Sequence, residues 1–372
     1  MTSAMPYRTG GTPAPAAIDR AAAPLSVLIV DDSAVARAVI AKVIDQSGDF
    51  TVALSVGTIA AALNMLSEQR VDFILLDLAL PGVDGLTALP DLLAAARGAR
   101  VVVVSASATD GAAVTLQALA LGAADTVLKP ATGDSTHAFG IGLVGKLRRL
   151  VAPRSRIDIA PRILPRTAPT RALTPTAATP SQFEIVAIGA STGGIHALSQ
   201  LLRALPRSFE TPIVITQHLP GSFMPYFAAQ LALLSGRPCD VATDRLRIRP
   251  GRIILAPGDA HLRGVALSDG GAAVRLSGER VASGCLPSVD PMFASLAAVY
   301  GPALLAVVLS GMGRDGVDGA LAVQRAGGCV VVQDEASSVV WGMPGAIAAT
   351  GITAAMLDPA ALGHLIASGR HP

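Results

Sequence analysis

Short apolar runs alternate with helix-period segments along most of this chain, and a polar residue closes nearly every run. Val27-Leu28-Ile29-Val30, residues 52–55, Phe73-Ile74-Leu75-Leu76, residues 101–104 and Thr126-Val127-Leu128 have the length and β-branched content of buried strands. Between them, a period near 3.6 predicts helices ending at Gln46 and spanning 60–66, 86–96 and 112–121. Such alternation is the pattern of a doubly wound parallel sheet. It resumes at Gln182, with strands expected at 185–190, 212–216, 304–309 and 329–332 and helices at 195–205, 223–234 and 290–300. Runs at 252–256, 262–266 and 274–277, set among Pro-Gly-Asp and Asp-Gly-Gly turns, predict a small antiparallel excursion.

The expected fold class is therefore α/β, with two doubly wound parallel-sheet domains. Residues 25–145 form the first and 182–372 the second. Between them, 146–181 alternate arginine with proline, which predicts an extended Pro/Arg-rich linker because proline at that density interrupts helix and sheet alike. Residues 1–24, rich in Ala and Pro, read as a disordered leader without the apolar core of a signal peptide.

Composition excludes more than it assigns. Net charge is +2 and no basic helix-turn-helix pattern occurs, so no nucleic-acid partner is expected. Three cysteines, far apart, fit neither a disulfide framework nor a zinc motif and suggest a reducing, cytoplasmic setting. No apolar run reaches the ~18 residues of a membrane span.

The chemistry lies at the strand ends. Asp31, Asp32, Asp77, Ser105 and Lys129 all follow or close strands of the first domain, on the edge where such sheets build sites. Three converging carboxylates suit a hard cation such as Mg2+, and the hydroxyl and amine suit phosphoryl oxygens. In the second domain Ser191, His218 and Asp315 follow three apolar strands. Ser191 sits in Gly189-Ala190-Ser191-Thr192-Gly193-Gly194, a turn that opens a helix. It is either a nucleophile beside an oxyanion site or an N-cap in a nucleotide-binding turn. Against the second, the middle glycine of a dinucleotide fingerprint is Ser191 itself, and Gln217-His218 stands where a ribose-binding acid belongs. His196 is a rival base expected to face solvent, Asp318 a rival carboxylate, and His261 a structural histidine.

Two resemblances connect these residues. Residues 25–145 resemble response-regulator receiver domains, which are flavodoxin-like, through Val30-Asp31-Asp32-Ser33, Asp77-Leu78-Ala79-Leu80-Pro81-Gly82-Val83-Asp84-Gly85 and Leu128-Lys129-Pro130. This implies Asp77 as phospho-acceptor, Mg2+ held by Asp31, Asp32, Asp77 and the Ala79 carbonyl, and Ser105 and Lys129 as switch residues. Thr126 stands where receivers usually carry an aromatic. Residues 182 to about 357 resemble the CheB chemotaxis methylesterases, a Rossmann-like domain. The matching motifs are the Ser191 turn, Gln217-His218-Leu219-Pro220, Pro287-Ser288-Val289-Asp290, Ser310-Gly311-Met312-Gly313-Arg314-Asp315-Gly316 and Trp341-Gly342-Met343-Pro344-Gly345. The resemblance implies Ser191 as nucleophile, His218 as base and Asp315 as its partner, with Thr192 and Met312 assisting. It further implies chemoreceptors as substrates, a chemotaxis histidine kinase as phosphodonor, and membrane association only through receptors. The competing readings are a non-enzymatic signalling adaptor and an esterase of a parallel chemosensory pathway.

Overall fold

A computed structural model describes residues 23–105, 111–129, 136–151 and 182–372. The leader expected at 1–24 falls almost wholly outside the described residues, as do residues 152–181 of the expected linker.

The first domain runs β1 (Leu25–Val30), α1 (Ala34–Gln46), β2 (Phe50–Val56), α2 (Ile59–Glu68), β3 (Phe73–Asp77), α3 (Gly85–Ala95), β4 (Arg100–Ser105), α4 (Ala112–Leu121), β5 (Asp125–Leu128) and α5 (Thr136–Val151). Its five parallel strands lie in the order β2-β1-β3-β4-β5. The order reverses between β1 and β3, so Asp31 and Asp77 face each other across the crevice where such sheets bind ligands.

Helix α5 corrects the expected linker boundary. Residues 146–151 belong to it, and Phe139, Leu143, Leu147 and Leu150 are buried at helical spacing. Arg148 and Arg149 stand on its outer side, and Arg148 Nε donates to Asp49 at 2.6 Å. These arginines are the polar stripe of an amphipathic helix, not the start of a tether.

The second domain runs β6 (Ile185–Ala190), α6 (Gly194–Arg203), β7 (Ile213–Gln217), α7 (Met224–Ser235), β8 (Cys239–Val241), β9 (Arg247–Ile248), β10 (Ile253–Leu255), β11 (His261–Ala266), β12 (Ala272–Ser277), α8 (Val289–Tyr300), β13 (Leu304–Val308), α9 (Val317–Arg325), β14 (Cys329–Gln333), α10 (Met343–Ala348), β15 (Ala355–Leu357) and α11 (Pro359–Ala367). A seven-stranded parallel sheet has the order β15-β14-β13-β6-β7-β10-β8. The antiparallel excursion is β11-β12-β9 alone. The run expected to join it at 252–256 instead supplies β10, which pairs in parallel with β7 and β8.

Successive side chains of β6 point to opposite layers, as the period of two requires. Ile185 and Ala187 pack with Phe293 and Leu296 of α8. Val186 and Ile188 belong to a second buried cluster that takes in α6, α7 and α11. That cluster continues without a break into Leu116, Leu119 and Ala120 of α4, so the two domains share apolar packing. Hydrogen bonds between described residues cross the seam at two points. His196 Nδ1 donates to the Ala120 carbonyl at 2.9 Å, and Gln230 Nε2 donates to the Leu116 carbonyl at 3.3 Å. Among the described residues no helix is long and apolar enough to cross a membrane.

Candidate active site

Strands β6, β7 and β13 are neighbours at the point where the strand order of the large sheet reverses, and their carboxyl ends share one edge. The three candidate residues follow these strands, and the register brings the segments together. His218 N donates to the Ala190 carbonyl at 3.0 Å, and Ser191 N donates to the Ser310 carbonyl at 3.1 Å.

Ser191 does not cap the helix that follows. The N-cap of α6 is Gly193, at φ +78. A Cβ there would lie 2.5 Å from Val339 and 2.7 Å from Ser310 Oγ, so only glycine lets the turn close. Ser191 stands two residues before that N-cap, which removes the N-cap reading. Gly311 is under similar constraint, since a Cβ would meet Met343 and, at 2.9 Å, Ser191 Cβ. Ser310 Oγ donates to the Thr192 carbonyl at 2.8 Å, fixing the turn against the end of β13. Gln217 Nε2 donates to the Ser191 carbonyl at 2.9 Å. Met312 lies on the loop after β13 and is 42% exposed.

Asp315, 2% exposed, accepts from three donors. His218 Nε2 reaches Oδ2 at 2.8 Å and the Val289 amide reaches the same oxygen at 2.7 Å. Ser288 Oγ donates to Oδ1 at 2.5 Å. Burial pushes this carboxyl up, but the hydrogen bonds of His218, Ser288 and Val289 hold it well below the usual carboxylate range. Val289 opens α8, so the helix N-terminus adds its partial positive charge. The same environment acts on His218. Burial pulls the imidazolium down, yet Asp315, with Cys285 alongside, outweighs it and lifts the group to about 9. With Nε2 engaged by Asp315, Nδ1 is the nitrogen left to exchange a proton. Among the described residues Ser191 and His218 share no hydrogen bond, a looseness ordinary in a site without substrate; both line one cavity of about 410 Å3.

The rival residues are disposed of by position. Asp318 is exposed on α9. His261 is buried on β11, where Nδ1 accepts from the Ser288 amide at 3.0 Å and Nε2 donates to the Glu279 carbonyl at 2.8 Å. It therefore holds Ser288, which holds Asp315. His196 does not face solvent as expected but turns into the seam toward α4, and it lines the same cavity as Ser191. The opposite wall of that cavity comes from the first domain, through Thr126, Phe139 and Lys146 among others.

In the first domain, Lys129 Nζ lies 2.7 Å from both Asp31 Oδ2 and Asp77 Oδ2. The contact to Asp31 is an ion pair without hydrogen-bond geometry, and among the described residues that oxygen has no hydrogen-bond donor. Burial lowers the lysine and the two carboxylates raise it, with a net rise. One oxygen each of Asp31, Asp32 and Asp77 falls within 4.8 Å of the others. With Asp31 and Asp77 buried and Asp32 open to solvent, this hard, under-donated oxygen set fits Mg2+. Ala79 N donates to Asp77 Oδ1 at 3.2 Å, which keeps the Ala79 backbone beside the cluster. Ser105 is buried at the end of β4, in register with Leu128 next to Lys129. Thr126 Oγ1 is buried and has no hydrogen-bond partner among the described residues.

Ser288, the orientation of His196 and the position of Cys285 beside His218 were not assigned from sequence. For Ser288 a signal existed, because the Pro287-Ser288-Val289-Asp290 match carried no role until Asp315 was seen against it.

Comparison with known proteins follows the same division. The response regulator receiver domain model matches residues 27–138 and the CheB methylesterase model residues 186–366. A protein-glutamate methylesterase/protein-glutamine glutaminase of Paramagnetospirillum magneticum is 39% identical over 90% of this chain and 93% of its own length. Another, from Caulobacter vibrioides, is 40% identical over 92% of this chain and 98% of its own. A strand-edge serine turn, a histidine held by a saturated carboxylate and a receiver domain packed over both thus occur in a chain that belongs to the CheB family of protein-glutamate methylesterases/protein-glutamine glutaminases.

Proposed function

We propose that the chain hydrolyses glutamyl methyl esters on chemoreceptors, releasing methanol, and deamidates receptor glutamines, under control of phosphorylation at Asp77. The observation that carries this reading is the His218–Asp315 bond at 2.8 Å beside Ser191, in a cavity whose other wall is the receiver.

Ser191 Oγ attacks the ester or amide carbonyl while His218 Nδ1 takes its proton, and Asp315 stabilises the imidazolium that forms. The N–H groups at the start of α6, with the backbone around Thr192 and Met312, receive the oxyanion. The proton then passes from His218 to the departing methoxy oxygen or amide nitrogen, which leaves as methanol or ammonia. Water repeats the sequence on the acyl-enzyme and frees Ser191.

In the receiver, Asp31, Asp32, Asp77 and the Ala79 carbonyl would hold Mg2+. When bound, the ion neutralises charge on the phosphoryl group during its transfer from a histidine kinase. Lys129 and Ser105 would contact that group once it is on Asp77. The lysine then leaves its double pairing with Asp31 and Asp77, which pulls on the end of β5. Thr126, three residues back on β5, lines the wall of the Ser191 cavity. We assign to this strand the opening of the seam.

Methanol release from methylated receptor membranes tests the reading, with and without Mg2+ and a small-molecule phosphodonor. Release should rise with the donor in the natural chain and not in Asp77→Asn. Donor-independent release would remove the switch, and no release under either condition would remove the substrate.

A further inference from the structure

A thiol that the ester chemistry does not use stands beside the triad. Cys285 lies on the loop before α8, its Sγ 3.8 Å from the Ser283 carbonyl. A ring nitrogen of His218, Cys285 Sγ and a carboxylate oxygen of Asp315 all fall within 4.8 Å of one another. Asp315 is buried and fixed by Ser288 and Val289, whereas His218 and Cys285 are half-buried and leave a way in.

Imidazole, thiolate and carboxylate are the three donor types of Zn2+ sites, bound at about 2.0–2.3 Å. Ligand atoms around a tetrahedral ion are on the order of 3.5 Å apart at those lengths. His218 Nε2 and Asp315 Oδ2, now at 2.8 Å, would have to part by less than about 1 Å to reach that spacing. A fourth position would stay open to water. The contrast with the receiver cluster is one of donor chemistry. Asp31, Asp32 and Asp77 offer hard oxygen alone, and only the cluster at His218 adds nitrogen and sulfur among the described residues.

We propose that His218, Cys285 and Asp315 form a binding site for Zn2+, or a divalent cation of similar softness, and that its occupancy switches the esterase off. Binding releases the thiol proton of Cys285 and the Nε2 proton of His218 to solvent, and His218 is held as neutral imidazole. With Nε2 on the ion, the remaining ring proton resides on Nδ1, so that nitrogen can no longer accept one from Ser191. The inhibition rests on the reading of His218 as the base; the binding does not.

Co2+ added to the full chain is the probe, because a thiolate ligand gives it a sulfur-to-metal charge-transfer band and four-coordination gives intense visible bands. An all-oxygen receiver site gives neither. The natural chain and Cys329→Ser should show the sulfur band, Cys285→Ser should lose it, and added Zn2+ should bleach it. In the methanol assay, half-inhibition of Cys285→Ser should need at least about tenfold more Zn2+ than the natural chain. No sulfur band, or one that persists in Cys285→Ser, overturns the site; equal inhibition of both chains overturns the switch. A chain with no esterase activity at all would sink the Ser191 reading, while the band would still decide the metal site.

Discussion

Both domains place carboxylates at the carboxyl edge of a parallel sheet, and they treat the charge in opposite ways. At the receiver edge, Asp31, Asp32 and Asp77 face one lysine, and an oxygen of Asp31 receives no hydrogen bond from the described residues. At the esterase edge, Asp315 is held by a helix amide, a hydroxyl and an imidazole. The first arrangement is short of positive charge and suits the arrival of a cation and a phosphoryl group. In the second, the donors already answer the charge and the carboxylate fixes a proton on the neighbouring histidine, so a cation enters only by displacing that proton. One scaffold thus carries a site that waits for charge and a site that stores it.

That contrast can be broken at the serine. Ser191→Ala should lower methanol release by about 10^4-fold or more while circular dichroism stays unchanged. Retained turnover would place the chemistry elsewhere on the sheet edge.

The stored proton makes two pH trends run in opposite directions. His218, lifted to about 9, must lose its proton to act as base, so kcat/KM should climb about tenfold per pH unit below 9 and level off above it. Stability from the raised histidine is fully present below its ordinary value near 6.5 and is lost as pH rises through about 9. The depressed Asp315 contributes stability above the ordinary carboxylate range and loses it only in strong acid. Thermal midpoint should therefore fall over the range where activity increases. A profile flat from 7 to 9 would show that the imidazole is already neutral.

Ser288→Ala sharpens the comparison by taking one donor from Asp315. Losing a charge-assisted hydrogen bond costs about 1.5–3 kcal/mol, so kcat should drop by roughly tenfold to a hundredfold, and the His218 inflection should move to higher pH, because the carboxylate keeps more charge to hold the imidazolium. An unchanged inflection would mean that Ser288 only packs.

The smallest effect is expected at Thr126, whose buried hydroxyl has no partner among the described residues. Thr126→Val should raise stability by about 1 kcal/mol, read by denaturant midpoint. A loss of stability would mean that the hydroxyl finds a partner in solution.

What the sequence made legible follows from how each element is held. The strands that carry chemistry are apolar, β-branched and bounded by polar residues, so β1, β3, β6, β7 and β13 and the residues after them could be read directly. Strands β8 and β15 could not. Each has three half-buried or exposed residues at a sheet edge, too few to establish a period. Helix α5 was hidden by Gly140, Gly142 and Gly145, which interrupt the apolar stripe that burial then restores. The network around Asp315 joins residues 218, 261, 288 and 315 from four separate segments, and only the packed sheet brings them within hydrogen-bond reach.

The two hydrogen bonds across the seam end on main-chain carbonyls one turn apart in α4, those of Leu116 and Ala120. No substitution in that helix can delete those acceptors, whereas a shift or rotation of the helix withdraws both at once. His196 and Gln230 therefore sense where α4 stands and not which side chains it carries. A receiver face built this way can drift in sequence over evolutionary time and still report its conformation to the enzyme behind it.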